Sequence, residues 1–339
     1  GVGIYLDGTG SGIDLNHNGT VNTVGGIGIY VANGTALTTG KSVLNINGGT
    51  GIYVDGGTAN LGTTETLTFN FGIDGGIGVY NNGGTLNLGN NTTATGPGSV
   101  AATVNGDLNS SGNLNISSGG TGFLGIYDNG TTTAKSISNT GNITAVSGGI
   151  GLAAIKGTSD PTGAITINNG GTIIVSGKAS VSPFAPSIGI YTDIANVVNT
   201  GNISVGSSGI GIYSNYNGVL TSVQNDNMKI TGTDGIGVYI KGTTNGLTAN
   251  NITSIGSRNT GVVLEGTAGN INVGTIALGN ESVGTFVTGA AASTIDGTIT
   301  VGNGSTSKSA IGVVAQNGAN MTLAGTAAIT TGTKGIGVY

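Results

Sequence analysis

The chain has 339 residues, 70 of them Gly, 50 Thr and 39 Asn, with 7% charged and 4% aromatic residues and a formal net charge of −5. The absence of Cys excludes thiolate metal sites, disulfides and a cysteine nucleophile, and nine cations against fourteen acids disfavour a surface that tracks phosphates. An apolar fraction of 36% with so little charge also argues against ordinary disorder, and the Gly, Asn, Thr, Ile and Val content suits strands and tight turns.

A word of the form Ile/Val-Gly-Ile/Val-Tyr opens the chain at Tyr5 and recurs at Tyr30, Tyr80, Tyr191, Tyr213, Tyr239 and Tyr339, with close variants at Tyr53 and Tyr127. Weaker copies place Thr103, Ala153, Val263, Phe286 and Val314 in the Tyr slot. The word therefore bounds thirteen units, twelve of 22 to 28 residues and one of 38. A sustained period of this size marks a solenoid. The first and last residues already match the internal word, so the chain reads as a segment of a longer protein with open, uncapped ends.

Each unit carries two further apolar segments. The second follows a turn, as in Ile13 and Leu15, Ala59 and Leu61, Leu86 and Leu88, or Ile271 and Val273. The third precedes the next Tyr word, as in Leu44 and Ile46, Leu67 and Phe69, Ile203 and Val205, or Ile299 and Val301. Apolar residues alternate with Asn, Thr, Ser or Gly, which is the period of a strand with one buried face. The sequence thus predicts an all-β, right-handed parallel β-helix of about 13 coils of roughly 25 residues, with three short strands per coil. A leucine-rich repeat has a similar period, but its framework is missing.

Alternation within the Tyr word puts its two Ile/Val positions on one face and Gly with Tyr on the other. Ile4, Ile29, Ile52, Val79, Ile126, Ile190, Ile212, Val238 and Val338 are expected to form a buried ladder, and the Tyr residues to stack outwards. That outward row reads either as cover for a flat sheet face or as a ligand platform. Two and three positions past the slot stand Asp7-Gly8, Asp55-Gly56, Asn82-Gly83, Lys241-Gly242 and Glu265-Gly266. These are expected turns with Gly in the left-handed region.

The long unit between Ala153 and Tyr191 holds Pro161, Pro183 and Pro186. Residues 1–339 are therefore expected to be one β-helix with an enlarged coil over 156–187, whose Pro-rich part, Lys178 to Ser187, protrudes as a loop. The outward Tyr row is expected to be longest at Tyr191, Tyr213 and Tyr239, beside that loop. Phe184, Tyr191, Tyr213, Tyr216 and Tyr239 are the candidate binding residues, with Gly two before each Tyr leaving room for a ligand.

Catalytic patterns are hard to find. There is no Asp-Asp pair and no Gly-His-Gly; His17 stands alone at a strand end, and Arg258 and Glu265 fall on different segments. Glycosidic hydrolysis generally needs two carboxylates about 5 to 10 Å apart. No enzyme activity, cofactor or metal site is expected. A carbohydrate-binding or carbohydrate-processing β-helix is the alternative function. A Thr-array, ice-binding solenoid is a third, but Thr-x-Thr words such as Thr64-Glu65-Thr66 and Thr231-Gly232-Thr233 differ in their offset from the Tyr slot.

The Gly/Asn/Thr-rich coils with Asn-Thr-Gly-Asn-Ile words at Asn139 to Ile143 and Asn199 to Ile203 resemble passenger domains of type V autotransporters. The dense Gly-Ile-Gly-Ile-Tyr words are most similar to those of the very large fusobacterial-type autotransporter adhesins. The resemblance covers essentially the whole chain and carries no receptor-contacting residue over to it. It implies a non-enzymatic adhesin shaft on a bacterial surface, anchored through a C-terminal translocator in the outer membrane. The partner would be a host or bacterial cell-surface protein or glycan. Nucleic acid, membrane insertion by this segment and oligomerisation are not expected.

Overall fold

A computed structural model describes residues 1–7, 13–15, 19–32, 37–39, 41–116, 119–178, 185–215, 221–266, 270–289 and 292–339. Among the described residues there is no helix. The strands stack in parallel as a β-solenoid of about 12 turns of ~25 residues. Contacts group the chain into two units, Gly1–Thr172 and Ile173–Lys178 with Pro186–Tyr339.

In the first unit the Tyr-word strands Val2–Asp7, Ile27–Ala32, Thr50–Val54, Ile77–Asn82, Ser99–Val104, Thr121–Tyr127 and Ile150–Lys156 pair in that order, all parallel. In the second unit the series is Ile188–Thr192, Ile210–Asn215, Ile236–Lys241, Thr260–Glu265, Val283–Thr288, Ala310–Gln316 and Gly335–Val338. The second and third segments of each coil form a further set of parallel ladders. They remain separate strands in the first unit, as in Lys135–Asn139 and Asn142–Val146. In the second unit they can fuse, as in Asn196–Val205, whose register with Thr221–Ile230 shifts between Asn199 and Asn202.

That shift marks a corner built by asparagine. Asn139, Asn169, Asn199 and Asn225 are all 0–1% exposed inside the coil. Asn139 Nδ2 donates to Asn169 Oδ1 at 2.8 Å, and Asn199 Nδ2 donates to Asn225 Oδ1 at 2.8 Å. The same amides close the bend, since Gly141 N donates to Asn139 Oδ1 and Asn139 Nδ2 donates to the Gly141 carbonyl. A buried amide tolerates this position where it finds such partners; at the end of the second pair Asn225 accepts through Oδ1 while its Nδ2 is left without a partner among the described residues. The Asn-Thr-Gly words are therefore corner motifs.

The rest of the interior is mainly apolar, with Thr, Ser and Asn such as Thr92, Thr103, Ser282 and Asn81 buried among the aliphatic residues. Second-segment residues such as Leu61, Leu86 and Ile271, and third-segment residues such as Leu44, Phe69, Ile203 and Ile299, are at most 1% exposed. Of the nine residues expected to form the Tyr-word ladder, Ile29, Ile52, Val79, Ile190, Ile212 and Val238 are buried. Ile4 is half-buried and Val338 exposed, in the first and last strands, each of which pairs along one edge only.

Ile126 corrects the alignment of the units. Register runs Tyr80, Ala102, Leu124, Ala153, so the slot lies one residue before Thr103 and three before Tyr127. Ile126 then faces outwards and is half-buried, while Thr103 and Tyr127 point inwards with no exposure. The Tyr127 hydroxyl donates to the Gly106 carbonyl at 3.1 Å. Its ring lies over Gly125, where a Cβ would come within 2.4 Å of ring atom Cε2. An inward Tyr is thus accommodated by a small residue and a hydrogen bond.

The glycine of the Tyr word also departs from expectation. Strict alternation puts it outside with Tyr, yet the ladder pairs Ile27 with Thr50 and Ile29 with Ile52 and skips Gly28. The strand bends at this glycine, so that Gly28 and Ile29 are both buried while Ile27 and Tyr30 are partly exposed. A Cβ on Gly211 would lie 2.6 Å from Met228 Cε and 2.7 Å from the Gly237 carbonyl oxygen. On Gly284 it would lie 2.3 Å from Ile299 Cγ2 and 2.4 Å from the Gly312 oxygen. The column of glycines lets the Tyr-word strand close directly onto the third segment.

Two stability measurements check this packing. Gly284→Ala is expected to destabilise the second unit by about 1–3 kcal/mol through overpacking, although Ala is the smallest possible change; an unaltered chemical-denaturation midpoint would refute the inward column. Ile212→Ala is expected to cost about 2–5 kcal/mol, and Ile126→Ala about 1 kcal/mol or less. Hydrogen exchange of the affected strands reports both, and equal losses would reject the face assignment.

Candidate binding face

Parallel pairing places equivalent residues of successive coils 4.7–4.9 Å apart, so a repeated outward Tyr becomes a stack. In the second unit Tyr213 and Tyr239 stack with ring centroids 4.8 Å apart and planes at 7°. Tyr191 sits edge-on to Tyr213 at 5.5 Å and 87°. Val263, Phe286 and Val314 continue the row in register. The longer run is in the first unit, where Tyr5, Tyr30, Tyr53 and Tyr80 stack at 5.4, 4.9 and 5.0 Å. The sequence expectation that the row is longest at Tyr191 is therefore corrected; four successive slots filled by Tyr give the longer stack.

Stacked rings cover one another's faces, so the row presents ring edges and hydroxyls. Contrary to the sequence expectation, Gly two positions before each Tyr leaves no room for a ligand on this face, because that glycine points into the core.

A polar stripe runs beside the rings, two positions past the slot. Asp55 accepts from the Tyr30 hydroxyl at 3.4 Å and from Asn82 Nδ2 at 2.9 Å. The Tyr239 hydroxyl donates to Glu265 Oε2. Gly56, Gly83, Gly242 and Gly266 follow the stripe with φ of 81°, 79°, 85° and 130°, as the turn chemistry requires. In the second unit the stripe and its glycines line a groove of about 510 Å³ formed by Asn215, Lys241, Glu265, Thr288 and Asn317 with Gly242, Gly266 and Gly289.

Of the five sequence-derived site residues, Tyr191, Tyr213 and Tyr239 share this row. Phe184 and Tyr216 lie outside the described residues, as does His17. The insertion leaves and re-enters at one point: Lys178 bridges Pro186, and Ser187 donates from N to the Gly177 carbonyl at 3.0 Å and from Oγ to the Ser176 carbonyl at 2.8 Å. Ser187 leads straight into Ile188–Thr192 and Tyr191. Lys241 and Glu265 were visible in the sequence as turn residues; their shared stripe appears only once the coils are stacked. Among the described residues no group of three or more His, Cys, Asp or Glu is arranged to hold a metal.

No protein-family model, curated protein or solved structure matches this chain.

The row also sets a pH response. Burial, followed by the Asp55 carboxylate, raises the Tyr30 and Tyr53 hydroxyls above the ordinary value of 10.0. Burial and then Glu265 raise Tyr239 further. A group whose folded pKa is raised holds its proton better in the folded state. That contribution is complete below the unfolded value and is lost as pH climbs above it. Thermal stability is expected to be insensitive to these groups up to about pH 10 and to fall beyond it, with tyrosinate absorbance rising late. Ordinary tyrosinate titration with no alkaline loss of stability would contradict the partly buried, acid-flanked row.

Proposed function

We propose that this chain is a non-enzymatic, surface-displayed adhesin segment, a passenger solenoid of the type V autotransporter kind, that attaches to a cell-surface protein or glycan. The observation that carries the reading is the outward row of tyrosines flanked by a stripe of amides and carboxylates on a parallel solenoid. Edges and hydroxyls of closely packed Tyr offer amphipathic contact area with little rotamer freedom to lose, which favours recognition. The Cys-free, weakly charged composition agrees with export and with a surface role. Anchoring through a translocator is part of the same proposal and rests on the sequence resemblance.

The test is attachment of the purified chain to epithelial and bacterial cells, compared with a Tyr191→Ser/Tyr213→Ser variant and with one lacking residues 179–184. Wild-type attachment that falls at least about tenfold in the Tyr variant (about 1.4 kcal/mol), with its melting preserved, is the expected outcome. Equal attachment by a folded Tyr variant would remove the row from the binding face, and no attachment by the wild type would overturn the adhesin reading.

A further inference from the structure

The groove beside Tyr239 contains an unmatched cation. Lys241 and Glu265 are register neighbours on adjacent coils, and opposite charges so placed ordinarily pair. Here the Glu265 carboxylate accepts from the Tyr239 hydroxyl. The ion pairs among the described residues are Lys135–Asp107, Lys156–Asp160 and Arg258–Asp234, and Lys241 joins none of them. Its exposed ammonium therefore borders the groove together with the Asn215 amide and the Thr288 hydroxyl. The turn glycines Gly242, Gly266 and Gly289 have φ of 85°, 130° and 99° and form a ledge without side chains. Their N–H groups are committed to the carbonyls of Glu265, Thr288 and Gln316, so recognition falls to the side chains.

We propose that this groove binds a carboxylate-bearing saccharide, its carboxylate on Lys241 and its hydroxyls on Glu265, Thr288 and Asn215. This deepens, and rests on, the adhesin reading. Among the described residues the lining has no aliphatic or aromatic side chain, which suits a hydroxyl-rich acidic sugar better than an acidic peptide. A volume of about 510 Å³ falls within the range of small-ligand sites. Polar groups recur from coil to coil at the strand spacing, a rise similar to the length of one sugar unit, so an oligosaccharide running along the groove meets a donor or acceptor at each step. Tyr239 acts as a positioning residue, since by holding Glu265 it keeps Lys241 available.

Calorimetric titration of the full 339-residue chain with a hyaluronan hexasaccharide and with trigalacturonate, against neutral, fully N-acetylated chitohexaose, tests the proposal. The acidic oligosaccharides are expected to bind and the neutral one not. Lys241→Gln should weaken binding about tenfold or more, the scale of one charge-assisted contact. Tyr239→Phe keeps the ring but releases Glu265 to pair with Lys241, so it should also weaken binding. Absence of acidic-sugar binding, equal binding of chitohexaose, or unchanged affinity in a folded Lys241→Gln variant would overturn the assignment. So would a Tyr239→Phe variant that binds like the wild type. Cell attachment measured in parallel separates the two readings: attachment without acidic-sugar binding rejects this groove and leaves the adhesin reading standing.

Discussion

Parallel stacking in register imposes one constraint on every position of this fold: each residue lies against its own equivalent in the next coil. Only side chains that tolerate a copy of themselves at strand spacing can repeat. Ile, Val and Leu do so by packing, and Tyr does so by stacking its rings, as at Tyr30 and Tyr53. Asn has a donor and an acceptor on one group, so it bonds its copy, inside the coil at Asn199 and Asn225 and outside it along Asn22, Asn45 and Asn70. A repeated charge has no such option, because like charges in register repel. The low charge of the chain follows from the same rule. Where charges do meet they alternate, as in the paired bonds of 2.9 Å from Arg258 Nε and Nη2 to the Asp234 carboxylate.

The architecture was legible because this constraint writes itself into the sequence as a period. The Tyr word located the coils, the alternation at Leu44 and Ile46 or Ile203 and Val205 identified the buried faces, and Gly after Asp55 or Glu265 marked the turns. In two units the word is a misleading ruler. Thr103 and Tyr127 looked like slot residues, but the coils there align on Ala102 and Leu124, which carry no signature of their own. Only the pairing partner on the neighbouring coil separates a Tyr that stacks outside from one that fills the core.

The glycine of the Tyr word was misread for a related reason. A period of two assumes an unbroken pleat, whereas the strand bends at Gly28 and its equivalents, where the ladder skips a residue. Glycine allows the bend and the close contact together, and a sequence reports neither directly. The candidate groove was hidden differently. Lys241, Glu265 and Thr288 lie more than twenty residues apart in sequence, each unremarkable in its own turn, and become one surface through stacking alone.

The direction of the ladder hydrogen bonds has a mechanical consequence. They join one coil to the next, along the stacking direction of each unit, and among the described residues few bonds cross between coils that are not neighbours. Tension applied through the chain therefore loads the outermost coil first and peels it away before the next is stressed. With about 25 residues per turn, each release pays out on the order of 80 Å of extended chain. A pulled unit would yield in many small steps, each dissipating work, and would lengthen like a shock absorber where a two-sheet sandwich loaded in shear would break at a single peak force.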